Sequence, residues 1–334
     1  MNQPAVEAVL PYWLDRPDEE AVAIALAAER AGLDALWVGE MATFDAGVLA
    51  TAIGHRTQRL GVRIGPLAVG VRSPVALALA ASSVATLTGH PVEVALGASS
   101  PGIVSGWHDR PWEHHAPRLR ETIECLRAIL GGERVDYEGR LVHVHGFRLR
   151  RPAPGTRIWA AAFGPAMTKV AARHADGVVL NLVSPDHVRA VRHTIDAEAA
   201  EAGRAPPPLA VWVPAAIDPG EMARAQLAGQ LAVYLAPPGY GEMFSALGFT
   251  ELVGRARGGA RRSELAAAMP WELLEVVGAM GTAEEVAGRI AAYHAAGATV
   301  VGVVPSTAED ADGARVLEAA AIGAGSLRTD RPGG

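Results

Sequence analysis

Glu40 is the carboxylate best placed for chemistry in this chain, because it follows the apolar run Ala35 to Val38 and stands where a buried strand opens into a loop. There it can bind a ring, orient a substrate or pass a proton; a rim carboxylate that caps the next helix has the same address. His108, His114 and His115 lie in the loop after the apolar run Val92 to Leu96, with His108 beside Gly106-Trp107. Imidazole titrates near neutrality and suits acid or base work, although a solvated loop histidine looks the same in sequence. The turn Gly97-Ala98-Ser99-Ser100 has small side chains and exposed amides that let a ligand approach closely. Gly164-Pro165 follows Ala162, the end of another apolar run, and opens a helix. The free N–H groups there, from Ala166 onward, and the positive helix end suit a phosphate, with Lys169 one turn in to add charge. Asn181, at the end of a further run, can hydrogen-bond a cofactor or cap a turn. Trp13, Met41 and Trp107 stand in loops of the same kind and are candidate walls of a substrate pocket, while Trp13 can equally seal the core.

Other chemistries find no support. His143 and His145 alternate on one face, but HExxH is absent and no metal site is expected. No GxSxG elbow supports a Ser-His-Asp nucleophile. Lys169 is the one lysine, so a Schiff-base mechanism would rest on that amine alone. Cys125 is the one cysteine and sits in an amphipathic pattern, which forbids an internal disulfide and fits a reducing cytoplasm. With 30 basic and 36 acidic residues the formal charge is −6, and no basic cluster exists to track a nucleic acid. The first residues carry no basic segment leading into an apolar one, so no secretion signal is expected. Pro74 to Gly89 is uncharged but too short to span a bilayer, so no membrane partner is expected.

The elements that must position these residues can be counted. Apolar runs read as strands at Val6 to Leu10, Ala35 to Val38, Leu60 to Ala68, Val92 to Leu96, Arg157 to Ala162, Gly177 to Asn181, Leu209 to Pro214 and Thr299 to Val304. Helical patterns lie near Asp18 to Ala31, Asp45 to His55, Pro74 to Thr88, Ala116 to Gly131, Pro165 to Ala175, Pro185 to Ala202, Thr282 to Ala296 and Asp310 to Ala324. Eight strand and helix units predict a (β/α)8 TIM barrel, one domain over residues 1–324. An open doubly wound sheet is the alternative, but no GxGxxG follows the first strand. Arg134 to Arg148 alternates about Glu138-Gly139 and reads as an inserted β-hairpin. Ala236 to Gly281 is a second insertion, between strands seven and eight, of the length used for lids and oligomer contacts. Residues 325–334 are expected to be a disordered tail.

One βαβ unit, Gln58 to Trp107, is the most informative stretch. Gly65-Pro66 near a strand's carboxyl end marks a bulge or sharp bend, since proline cannot continue the ladder. Ser73 is set to cap a helix with Pro74 at its first position.

Four segments carry a resemblance: Ala28 to Glu40 (AERAGLDALWVGE); Arg59-Leu60-Gly61 through Arg72-Ser73-Pro74; Gly106-Trp107-His108; and Ile158 to Met167 (IWAAAFGPAM) with Ala175-Asp176-Gly177. In this order the chain resembles the bacterial luciferase-like superfamily and, within it, the coenzyme F420-dependent oxidoreductases, over nearly its whole length. The resemblance implies a barrel that holds a deazaflavin or flavin at the carboxyl ends of its strands. It places a bulge, often with a cis peptide, at Gly65, Pro66 and Leu67 behind the ring, and a cis bond is expected there or within two residues. By the same resemblance Gly97, Ala98 and Ser99 meet the ring's edge, and the family habit is a homodimer. It implies hydride transfer between coenzyme F420 and a small organic substrate, commonly at a C=C, C=N or C=O bond, with Glu40 and His108 as candidate catalytic residues. An FMN-dependent monooxygenase and a non-catalytic deazaflavin-binding barrel are the alternatives. Two departures stand out. Many deazaflavin enzymes have Asp-His or Glu-His where this chain has Glu40-Met41, and the family's sugar-phosphate dehydrogenases carry a carboxylate where Ser99-Ser100-Pro101 stands here.

Overall fold

The computed structural model describes residues 4–13, 15–40 and 42–329. Its strands are β1 (Ala5–Val9), β2 (Ala35–Val38), β3 (Gly61–Ala68), β4 (Val92–Gly97), β5 (Arg134–Glu138), β6 (His143–Arg148), β7 (Ile158–Ala161), β8 (Gly177–Asn181), β9 (Leu209–Ile217), β10 (Ala279–Gly281) and β11 (Val300–Pro305). Strands β1, β2, β3, β4, β7, β8, β9 and β11 pair in parallel, each with the next, and β11 returns to β1. The result is a closed eight-strand barrel, as the count of apolar runs predicts. β5 and β6 form the antiparallel hairpin outside it, and β10 pairs with the end of β9.

Helices α1 (Glu20–Arg30), α2 (Ala46–Gly54), α3 (Pro74–Thr88), α4 (His115–Gly131), α5 (Pro165–His174), α6 (Pro185–Glu201) and α7 (Glu221–Ala232) follow the first seven barrel strands. Four short helices form the second insertion: α8 (Tyr240–Phe244), α9 (Thr250–Arg257), α10 (Arg262–Ala267) and α11 (Trp271–Val277). Then come α12 (Ala283–Ala295) and α13 (Ala314–Thr329). Local chemistry explains their ends. Ser73 accepts a hydrogen bond from Ala76 N at 3.2 Å, Pro74 opens α3, and Gly89 closes it in the left-handed region, φ 75°.

Two expectations need correction. Helix α7 is missing from the sequence reading, because Gly220 gives it no side-chain cap and its buried face includes Gln226 and Gly229, which interrupt the apolar stripe. Gln226 is buried because its amide oxygen accepts from Ser306 Oγ, Thr307 N and Ala308 N, tying α7 to the end of β11. Helix α13 continues to Thr329, into the segment expected to be an unstructured tail, and residues 330–334 lie outside the described residues.

The barrel interior is polar at its centre. Arg63 on β3 binds Glu7 of β1 through Nε at 2.7 Å and through Nη2, and its Nη1 binds Glu93 of β4. Trp37 Nε1 donates to Glu7 at 2.7 Å, Trp159 Nε1 donates to Glu93, and the guanidinium lies 5.2 and 4.7 Å from the centres of these two indoles. Trp212 meets Trp37 edge-on at 5.4 Å. Such bulk needs empty positions opposite: a side chain on Gly177 would begin 2.2 Å from the Trp159 ring, and one on Gly302 would begin 2.8 Å from Trp212. Buried charges persist only when paired and hydrogen-bonded, and these are. Arg63→Met fills similar space but strands two carboxylates, and should cost about 3–5 kcal/mol of stability. A lower midpoint in chemical denaturation is expected; an unchanged midpoint would show that the cluster does not hold the barrel together.

Candidate functional site

Beyond the tryptophan layer, the inward positions toward the carboxyl ends of β2, β3, β4 and β7 become Gly39, Gly65, Gly97 and Ala161. They lie on neighbouring strands. A side chain on Gly39 would begin 3.2 Å from the Tyr12 ring and 3.8 Å from the Gly65 carbonyl, and one on Gly97 would begin 3.2 Å from Ala161 Cβ and 3.4 Å from Pro66 Cβ. The backbone of β3 bulges here. Its register against β4 shifts between Ile64 and Leu67, the Gly65-Pro66 bond is cis as expected, and Gly65 has φ +119°. Any side chain at Gly65 would begin 2.2 Å from the Ala95 carbonyl, so only glycine fits. The barrel mouth thus has a floor of small residues at the ends of four adjacent strands, closed at its Gly39 end by the Tyr12 ring. Leu67 and Ala162, also expected at the site, bury their side chains at 2% and 3% exposure and offer it only backbone.

At one end of this floor stand Tyr12, Glu40 and Arg72. The Tyr12 hydroxyl donates to the Gly39 carbonyl, and burial, then the Glu40 charge, push it well above the ordinary phenol range. Glu40 Oε2 lies 2.5 Å from Arg72 Nη2, which also binds Asp45 at 2.6 Å. Asp45 in turn caps α2 by accepting from Gly47 N at 2.9 Å and Val48 N at 3.0 Å. The carboxylate expected to move protons is therefore tied by Arg72 to a helix start, and paired in this way it accepts hydrogen bonds. Arg72 was visible in the Arg72-Ser73-Pro74 motif without a role; Tyr12, three residues past β1, was read only beside Trp13 as a candidate pocket wall.

At the other end, Gly164 and Pro165 open α5 at an exposed helix start, where the first N–H groups have no partner inside the helix. Lys169 does not serve this site. As the fifth residue of α5 it faces α6, where its Nζ lies 3.2 Å from Glu198, a carboxylate also bound by Arg173 at 2.6 Å. Asn181 closes β8 and its side-chain amide faces the hydroxyls of Tyr234, just before the second insertion, and Tyr240, at its start, neither of which was expected at the site. Tyr240 also packs on Phe163 at 4.5 Å.

The β4 loop is arranged differently from its expectation. Trp107 is 57% exposed and His108 is exposed beside it, so neither is brought to the floor by a described contact. Instead Trp112 donates its indole N–H to the Ala98 carbonyl at 3.1 Å and packs on His115 at 4.1 Å. Burial, then the nearby His114 and Arg118 charges, lower the His115 pKa. Ser99 is exposed with φ 59°. Trp13 is 5% exposed and donates to the Pro305 carbonyl at 3.0 Å, which ties the loop after β1 to the end of β11; it lines a cavity of about 30 Å³. Met41 lies outside the described residues. Among the described residues no three His, Cys, Asp or Glu side chains cluster as metal ligands.

Asp45 allows a test of the Arg72 clamp. Burial alone would raise its pKa, but the bonds from Arg72 and the α2 N–H groups outweigh this and lower it. Asp45→Ala should cost about 1 kcal/mol at neutral pH. A depressed folded pKa means the contribution is complete above the unfolded value, about pH 4, and is lost as pH falls through the folded value. Denaturation midpoints of the two proteins should therefore differ at neutral pH and converge in strong acid. A gap that persists in acid would contradict the clamp.

Comparison with known proteins places this geometry. A Mycobacterium tuberculosis protein named provisionally as a coenzyme F420-dependent oxidoreductase is 26% identical over 332 residues, covering 90% of this chain and 94% of that one. The 5,10-methylenetetrahydromethanopterin reductase of Archaeoglobus fulgidus is 29% identical over 186 residues, 53% of either protein. The structure of the coenzyme F420-dependent tetrahydromethanopterin reductase from Methanopyrus kandleri superposes with a TM-score of 0.80 at 19% identity, over 95% of this chain and 97% of that one, a likeness of fold. The family described as luciferase-like monooxygenase matches residues 11–300, which take in the bulged β3, the glycine floor and the α5 start. This chain belongs to that family.

Proposed function

We propose that the protein is an F420-dependent oxidoreductase that transfers a hydride between the deazaflavin and a small organic substrate, most simply by reducing a C=C, C=N or C=O bond. The observation that carries this reading is the floor of Gly39, Gly65, Gly97 and Ala161. A planar tricycle needs a flat surface without side chains, and a side chain on Gly97 would fill it. Relatives named for F420 lead us to favour the deazaflavin over FMN.

When bound, the deazaflavin supplies the hydride at its C5 position. Gly65, Pro66 and Leu67 support the back of the ring. Gly97, Ala98 and Ser99 border its edge, with the Trp112 indole holding the Ala98 carbonyl in place. Gly164 and Ala166 receive the phosphate on backbone N–H groups at the positive end of α5, which Pro165, having no N–H of its own, opens after Ala162. Glu40 accepts a hydrogen bond from ring or substrate, and Arg72 fixes its position. His108 enters only by a movement of the exposed β4 loop.

We assign the partner contact to a second copy. Neither α2 nor α3 carries a charged residue, and Val48, Leu79 and Leu87 on them are 66%, 47% and 61% exposed. No described helix is long and apolar enough to cross a membrane, and we place the protein in the cytoplasm.

Two measurements check these assignments. Titration of purified protein into F420 should quench or shift the deazaflavin band and leave FMN free, and Gly97→Val should weaken F420 binding by about tenfold or more, roughly 1.4 kcal/mol. FMN bound in place of F420 would overturn the assignment. Leu79→Glu with Leu87→Glu should sediment as a monomer where the unaltered protein is a dimer; equal sedimentation would contradict the α2–α3 contact.

A further inference from the structure

We infer that Tyr234 and Tyr240 are the substrate-binding hydroxyls of this site, and that they select an uncharged compound with an apolar or aromatic flank and one carbonyl or imine acceptor. This rests on the F420 reading above. After α7 the chain returns over the ends of β7 and β8, where Tyr240 lies 5.1 Å from Tyr234, 4.5 Å from Phe163 and 6.3 Å from Phe244, and Phe163 stacks at 5.9 Å on His187. Gly239 makes the approach possible. It has φ +88°, and a side chain there would begin 2.6 Å from the Phe163 ring.

This aromatic wall adjoins the floor, since Phe163 and Asn181 continue the strands β7 and β8, and both tyrosines are only half-buried. Two other donors at the mouth are committed, Tyr12 to the Gly39 carbonyl and Arg72 to Glu40 and Asp45, while the His187 imidazole lies behind Phe163, stacked on its ring. The Tyr234 and Tyr240 hydroxyls face the Asn181 side-chain amide and hydrogen-bond no other described residue. An amide N–H that donates to a phenol oxygen leaves the hydroxyl proton free for another acceptor. Burial raises both hydroxyl pKa values, so the pair stays neutral and donating.

Charge points the same way. Glu40, Asp45 and Arg72 together leave one net negative charge at the far end of the floor, which opposes an anionic substrate. In the insertion, Arg257 is bound to Glu242 at 2.5 Å and Arg262 to the Gly229 carbonyl at 2.8 Å.

The test uses ¹⁹F NMR on the F420-loaded protein with two probes of similar shape, neutral 4′-fluoroacetophenone and anionic 4-fluorobenzoate. The ketone should bind at least about tenfold more tightly than the benzoate. Tyr234→Phe with Tyr240→Phe, which keeps both rings, should weaken ketone binding about tenfold while F420 affinity stays unchanged, as expected for two lost hydrogen bonds. Each single variant should show part of that loss, and these carry the test if the double variant melts early. Ketone binding unchanged by the substitutions, preference for benzoate, or binding of neither probe while F420 binds would overturn the inference. Failure of the unaltered protein to bind F420 would overturn the cofactor reading, and this inference with it.

Discussion

Arg63, held inside the barrel between Glu7 and Glu93, is the interaction on which the rest depends. A guanidinium in a barrel core is unfavourable unless carboxylates surround it, and here three strands supply the charges while two indole N–H groups bind the carboxylates. The cluster crosslinks β1, β3 and β4 and, through Trp37 and Trp159, reaches β2 and β7. It also fills the central layer with wide, flat groups. With that layer full, the next one toward the carboxyl ends can be almost bare of side chains without leaving a hole. The glycines of the mouth are affordable because the tryptophans beneath them are not glycines.

The same division explains what could be read from sequence. Strands buried on both faces announce themselves as short apolar runs, so all eight barrel strands were legible, while the half-exposed hairpin was legible by its alternation and α3 by its Ser73 cap and Gly89 stop. The Gly65-Pro66 bend was legible because proline and glycine have few alternative uses in a strand. Arg63, Glu7 and Glu93 were not, since a charged residue in an apolar run gives no sign of a partner fifty residues away. Helix α7 was lost for a related reason: its burial depends on Gln226 meeting Ser306 and Thr307, a contact between segments distant in sequence.

The site residues divide in the same manner. Backbone features such as the bulge, the Gly97 turn and the α5 start were found where expected, because glycine and proline report conformation locally. Side-chain roles fared less well. Lys169 goes to Glu198, His108 stays in solvent and Trp13 bonds Pro305. Each depends on which neighbour the fold supplies. Tyr234 and Tyr240 show the converse, since nothing in Val233 to Tyr240 indicates that the segment folds back over Asn181.

The proposed function makes the small-residue floor of the barrel mouth the seat of a planar ring. A crystal structure of the protein with F420 bound tests it most directly. The tricycle should lie over Gly65, Gly97 and Ala161, beside the Tyr12 ring and backed by the Gly65-Pro66 bulge, with its phosphate at the N–H groups of Gly164 and Ala166. A deazaflavin found anywhere else, or a phosphate bound away from the start of α5, would contradict it.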